Sequence, residues 1–326
     1  METGRRETTC FCVYWSLLKI IITLSYIIIM IKTNSELPLT LLESHNEELN
    51  DYDFVLFHLY LSNPSYRSYF DNLRETHPER MMILDNSAYE FYVKGETLDL
   101  DLFTKAIIEL NPDYYILPDT LMDKDKTLKD TMIFRATHQR FIEDYFESIS
   151  IESPKPIAVV QGNTIEEFNS CLITLLNMGY KNIALPFHNR FFKEEFFECE
   201  GPIAYEFAKN GYNYCTEDVR YAMGRCEWLA IYGAGLLFDN DKPKFDRLHF
   251  LGSHCPAEKA FYSIFFCGMD NVSMDTGYPV KLAIQGEVLG KEKEKPNIII
   301  DDFMENVLDP TTVQLIEDNV NKFREY

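Results

Sequence analysis

Asp275 stands where a short apolar strand, Val272-Ser273-Met274, runs into Gly277-Tyr278-Pro279. Glycine and proline stop a strand there, so the sequence predicts a carboxylate exposed at the C-terminal end of a rigid element. Parallel α/β sheets carry their chemistry at such ends. Other apolar runs end in the same way: one in Asp85-Asn86-Ser87, one in Asp119, one in Gln161-Gly162, one in His188 and one in Ser253-His254. Two carboxylates facing one sugar suit retaining substitution at an anomeric carbon, one attacking and the other shuttling protons. An ordinary aspartate, with a pKa of about 3.9, is ionised at neutral pH and can attack without help. An aspartate beside a glutamine offers donors and acceptors that match the edge of a purine, guanine above all. Each position also has a plain alternative: Asp85, Asp119 and Asp275 as turn or cap residues, Gln161-Gly162 as a turn, His188 and His254 as satisfied histidines. Those alternatives leave the convergence on one face unexplained.

Other chemistries lack their motifs. The sequence has no glycine-rich phosphate loop, no Gly-x-Ser-x-Gly elbow and no His-x-x-Glu-His-type zinc pattern. Gly233-Ala234-Gly235 lacks the third glycine of a dinucleotide loop. Eight irregularly spaced cysteines predict free thiols in a reducing compartment. Cys10-Phe11-Cys12 has no nearby partners for zinc, so neither a structural metal nor a cofactor is expected.

The positioning elements are eight short, continuously apolar runs: Phe54–Leu59, Met81–Leu84, Tyr114–Leu117, Ile157–Val160, Ile183–Leu185, Leu248–Leu251, Val272–Met274 and Ile298–Ile300. Strands buried on both faces read this way. Helical patterns lie between them, over Leu102–Leu110, from Asn163-Thr164 to Met178, and from Pro256 to Phe266. Alternation of this kind predicts a parallel sheet, and eight strands predict a (β/α)8 TIM-type barrel. The interval near residues 189–247 is too long for one connection and predicts a helical insertion.

The chain has 326 residues, 46% of them hydrophobic, and a formal net charge of −21. Residues 30–326 are read as one barrel domain of cytoplasmic type. Residues 1–29 differ: an apolar run after Arg5 and Arg6 has the length of a membrane helix or signal anchor. Three readings stay open for it: an anchor through residues 11–31, a non-native extension before Met30, or a terminal helix. So acidic a chain repels phosphates at long range and binds nucleic acid only through a local basic groove. The candidate grooves are Lys124, Lys126, Lys129, Arg135 and Arg140, and Arg190 with Lys193; each is equally readable as a solvated helix face.

The motifs resemble those of the tRNA-guanine transglycosylase superfamily, and within it the shorter, phage-type DNA-modifying branch of DpdA-like proteins. Its Asp-Ser-Gly-Gly is similar to Asp85-Asn86-Ser87-Ala88, its base-reading aspartate to Asp119, and its Val-Gln-Gly to Val160-Gln161-Gly162. Its His-Tyr-Leu-Met-Gly is similar to His249-Phe250-Leu251-Gly252 with Leu248 before it. Its nucleophile motif, Phe-Asp-Cys-x-x-Pro-Thr-Arg, is similar to Met274–Lys281. The resemblance implies a (β/α)8 barrel that exchanges guanine in DNA for a 7-deazaguanine through a covalent Asp275–deoxyribose intermediate. In that reading Asp119, Gln161 and Gly162 hold the base with Asn86, Ser87 and His188, and Asp85 accepts the N9 proton of the incoming base. The family's zinc module is missing, with no cysteine after Asp275, and its Gly-Gly-Leu reads Ala184-Leu185-Pro186. These departures point away from tRNA and toward DNA. Exchange on tRNA, nucleoside hydrolysis and a non-catalytic nucleobase-binding barrel are the rival expectations.

Overall fold

The computed structural model describes residues 31–187, 189–194, 217–290, 298 and 304–326. Eight parallel strands form a nearly closed barrel flanked by helices: β1 Lys32–Ser35, β2 Asp53–Leu56, β3 Met82–Asp85, β4 Tyr114–Ile116, β5 Lys155–Val159, β6 Asn182–Pro186, β7 Arg247–Leu251 and β8 Val272–Thr276. Their hydrogen-bonded order is β1-β8-β7-β6-β5-β4-β3-β2. This is the arrangement of a (β/α)8 TIM-type barrel.

One strand is not among the apolar runs. β1, Lys-Thr-Asn-Ser, pairs with β8 in the register Asn34 opposite Asp275. It fills the position that the sequence suggests for Ile298-Ile299-Ile300. Ile298 lies outside any strand, and Ile299 and Ile300 lie outside the described residues. Polar side chains serve β1 because they stitch the seam to β2. The Thr33 amide donates to Asp51 Oδ2 at 2.8 Å, the Asp51 amide to the Thr33 carbonyl at 3.0 Å, and Asn34 Nδ2 to the Tyr52 carbonyl at 2.8 Å. Thr33, Asn34 and Ser35 are buried, and these bonds meet the requirement that buried polar groups be paired.

The first apolar run also splits. β2 ends at Leu56, and Phe57–Ser62 turns into a helix. Elsewhere the helix signals hold. Asp99 caps Leu100–Leu110, accepting from the Asp101 and Leu102 amides, and Thr164 caps Ile165–Asn177, accepting from the Glu167 amide. Pro256 opens Pro256–Phe265.

Between β6 and β7 the described residues form helices Arg190–Glu194 and Glu217–Trp228, a wide turn Leu229–Gly233 and a short helix Ala234–Leu237. Trp228 packs edge-on against Phe168 at 4.9 Å, and Phe168 also meets Phe191 and Phe192. This cluster fixes the insertion to the outside of helix Ile165–Asn177. A Cβ at Gly224 would lie 1.9 Å from the Phe192 carbonyl oxygen, so only glycine lets the two insertion helices approach this closely. Residues 1–30 lie outside the described residues. Among the described residues no helix is long and apolar enough to cross a membrane.

Candidate active site

In a parallel ladder, residues in register point to the same side, so the pairing defines the barrel interior. Asn34, Asp275 and Ser273 share that side with His249, and Asp85 shares it with Leu56. The His249 ring stacks on Phe54 of β2 at 5.2 Å, a contact that crosses the barrel rather than following the sheet.

Asp275 is buried, 4% exposed, rather than exposed at the strand end as the sequence suggests. The reason is β1, which covers one flank of β8 and brings Asn34 beside it. Two donors hold Oδ1: the Gly252 amide at 3.0 Å and His249 Nε2 at 3.1 Å. Burial pushes the His249 pKa down, with Asp275 only partly offsetting it, so the ring is neutral at pH 7. A neutral ring that donates from Nε2 must accept at Nδ1, and the Ser273 hydroxyl lies 3.0 Å away to donate there. Among the described residues no hydrogen bond reaches Asp275 Oδ2. One oxygen is thus anchored, and the other keeps its lone pairs for an electrophile.

Gly252, at φ +63, is held from its other side too. Its carbonyl accepts from Arg225 Nη2 at 2.6 Å. Arg225 is fully buried, paired with Glu258 at 2.7 Å, and also donates to the Leu185 and Leu251 carbonyls. The peptide that grips Asp275 is therefore stapled to the ends of β6 and β7.

A second group spans β3, β4 and β5. Asp119 Oδ1 accepts from Asn86 Nδ2 at 2.8 Å, and its Oδ2 accepts from Gln161 Nε2 at 2.7 Å. Asn86 also donates to the Leu117 carbonyl, and Gln161 Oε1 accepts from the Met122 amide. Asn86, Asp119 and Gln161 thus form one hydrogen-bonded row across three strand ends. Burial raises the Asp119 pKa, and the Asn86 and Gln161 amides work against that rise. Gly162 serves packing: a Cβ there would lie 2.6 Å from the Phe168 amide nitrogen, at the start of helix Ile165–Asn177.

Asp85 lies between the two groups electrostatically. Its Oδ2 accepts from the Ser87 amide at 2.7 Å. Burial first, then the charges of Glu90 and Asp275, hold its carboxyl well above the usual carboxylate range. Ser87 adopts φ 55, a left-handed turn for a side chain that rarely takes it, and its hydroxyl accepts from the His58 amide at 3.1 Å. Asn86 and Ser87 therefore shape the turn that carries Asp85. His188 lies outside the described residues.

Two further carboxylates near Asp275, Glu36 and Glu90, have no counterpart in the apolar-run pattern. Glu36 follows β1, and its Oε2 lies 3.9 Å from Lys281 Nζ. Burial raises its pKa, Lys281 opposes this and Asp275 adds to it. Glu90, on helix Ala88–Lys94, is raised to about 7 by burial and by Glu36. His249 shows in the sequence only as a polar residue inside an apolar strand. Just beyond β6, Asn189 is fully buried, and neither side-chain polar atom has a hydrogen-bond partner among the described residues.

The basic segment after Asp119 is largely neutralised. Lys126 pairs with Asp130, Lys124 with Asp125 and Arg140 with Asp144, while Arg135 donates to the Met178 carbonyl. Arg190 pairs with Glu194. Among the described residues no group of three or more His, Cys, Asp or Glu side chains is placed to hold a metal ion.

Chemically, the site offers one anchored carboxylate with a spare oxygen, one carboxyl held toward its protonated form, and a fixed row of amide and carboxylate groups. No protein-family model matches the chain, and no curated protein matches it.

Proposed function

We propose that the chain is a DNA-guanine transglycosylase, replacing guanine in DNA with a 7-deazaguanine derivative through a covalent ester to Asp275. The observation that carries this reading is the asymmetric grip on Asp275, with Oδ1 held by Gly252 and His249 and no hydrogen bond to Oδ2 among the described residues. Retaining base exchange needs a carboxylate fixed in this way and a nearby proton carrier.

Guanine leaves its stack and enters the barrel mouth. Asp119, fixed between Asn86 and Gln161, accepts from the N–H edge of the base, and Gln161 retains one Nε2 hydrogen for an acceptor such as O6. Asp275 Oδ2 bonds to C1′ as the C1′–N9 bond breaks, and Asp85 gives its proton to the departing base. The incoming base returns a proton from its N9 to Asp85. Its N9 then takes C1′, and the ester bond to Asp275 breaks. The raised Asp85 pKa supports this two-way use of one proton.

Mass spectrometry of nucleosides from DNA of cells expressing the gene tests this. The expected result is a 7-deazaguanine deoxynucleoside with the natural chain and none with Asp275→Ala. A modified nucleoside found in tRNA alone, or persisting in Asp275→Ala, overturns the reading.

A further inference from the structure

The opposite end of the barrel holds a second arginine with an unmet need. Arg247 is the first residue of β7 and is 7% exposed. Its Nε and Nη1 are buried and have no hydrogen-bond partner among the described residues. Among the described residues no carboxylate pairs with it. Its guanidinium carbon lies 4.4 Å from the centre of the Tyr114 ring, a cation–π contact that partly compensates its charge. Burying a guanidinium without an acceptor is costly, because each lost water is replaced by nothing.

Arg247 lines a cleft of about 460 Å³ at the N-terminal ends of β4, β5 and β7. That volume falls in the range of small-molecule sites. The acidic groups on its wall are mostly committed elsewhere. Asp113 binds Arg74 and the Met82 amide, and Glu152 binds Lys155 at 2.8 Å. A second orphan lies in the same wall: the Ser153 hydroxyl is buried and has no partner among the described residues. Met81, Pro112, Ile151 and Pro154 add apolar surface. Unpaired N–H and O–H donors beside apolar walls describe a receptor for an oxyanion on a small organic body.

We propose that this cleft is a second ligand site, distinct from the mouth, which binds a small organic anion. A carboxylate or phosphate head takes the donors of Arg247 and Ser153, and an apolar body rests against Met81, Pro112 and Ile151. The site lies at the face of the barrel remote from Asp275, so it stands whether or not the transglycosylase reading does.

Thermal unfolding and calorimetric titration of the full chain test it, at constant ionic strength set with sodium chloride. The probes are inorganic phosphate, phenyl phosphate, acetate and benzoate. Phenyl phosphate or benzoate raises Tm by roughly 2–4 °C once it exceeds its Kd about tenfold. The better of the two identifies the head, and each outdoes its counterpart without the ring. Arg247→Met abolishes the shift, and Ser153→Ala weakens the titrated affinity by roughly ten- to a hundredfold, the value of one hydrogen bond to a charged group. If Arg247→Met does not fold, the Ser153→Ala titration against the natural chain decides alone. No shift with any probe overturns the proposal, and so does an affinity that Ser153→Ala leaves unchanged.

Discussion

Arg225 and Glu258 are buried side by side near the C-terminal end of the barrel, while buried Asp85 and half-buried Glu36 both feel the charge of Asp275. The first pair is neutral and complete. Arg225 reaches Glu258 at 2.7 Å and three backbone carbonyls, and Glu258 also accepts from Ser253 and Tyr262, each at 2.7 Å. The Phe187, Phe250 and Tyr262 rings lie within 6 Å of the Arg225 guanidinium. Burial opposes its charge, yet Glu258 keeps its pKa raised. The mouth is built on the reverse rule. Burial raises the pKa of both Glu36 and Asp85; Glu90 and Asp275 raise Asp85 further, and at Glu36 Lys281 opposes the rise while Asp275 adds to it. Charge satisfied on every side serves the fold, whereas like charge gathered at a strand end raises carboxyl pKa values, as sites built for proton transfer do. Gly252 joins the two, its carbonyl on Arg225 and its amide on Asp275.

The largest effect is expected where the satisfied pair is broken. Arg225→Met leaves Glu258 buried without its counter-charge and frees three carbonyls, and is expected to cost ~3–5 kcal/mol in urea unfolding. Adding Glu258→Gln should recover part of that loss, because the second change removes the stranded charge. A cost below ~1 kcal/mol for Arg225→Met would mean that the staple does not carry the fold, and the contrast with the mouth would collapse.

The mouth should show itself in pH dependence, with a smaller effect. A carboxyl whose folded pKa is raised binds more protons in the folded state than in the unfolded one, so its contribution to stability is present at low pH and is lost as pH rises. For Glu90 the window runs from the ordinary 4.5 to about 7. Stability is expected to fall across that range, by no more than ~1.4 kcal/mol per pH unit for each group. Glu90→Gln should flatten the slope. Equal slopes in both chains would place the titration elsewhere in the molecule.

These two clusters were unequally legible in the sequence. The strand ends at Asp85, Asp119, Gln161 and Asp275 follow apolar runs, and parallel strands covered on both faces must be apolar, so the pattern and the barrel were readable together. β1 was not, because its residues Thr33 and Asn34 earn their burial through side-chain bonds to Asp51 and Tyr52 across the seam. With β1 unseen, Glu36 had no place in the site, and Asp275 looked exposed. The Arg225 staple was equally hidden. Its partners are carbonyls of Leu185, Leu251 and Gly252, and backbone acceptors have no sequence signature. The base-reading role expected of Gly162 met a different constraint, the 2.6 Å approach to the Phe168 nitrogen, which any tight strand-to-helix turn can impose.

The smallest change in stability at low pH is expected at Asp85, and it is the sharpest comparison with Arg225. Burial and like charge favour the uncharged form of Asp85, and an uncharged carboxyl is close in shape and polarity to an amide. In Asp85→Asn the side-chain oxygen can still accept from the Ser87 amide, as Oδ2 does now at 2.7 Å. As pH falls to the ordinary carboxylate range, where folded and unfolded Asp85 are both protonated, stability should stay within ~0.5 kcal/mol of the natural chain. At pH 7 the substitution should stabilise the chain, because the unfolded aspartate is ionised and the natural chain must bind a proton to fold. Base exchange should fall by roughly 10²–10⁴-fold, because an amide cannot pass a proton out and take one back. If Asp85→Asn leaves stability unchanged at pH 7 as well as at low pH, folding does not raise the Asp85 pKa, and Asp85 is not held as a proton carrier beside Asp275.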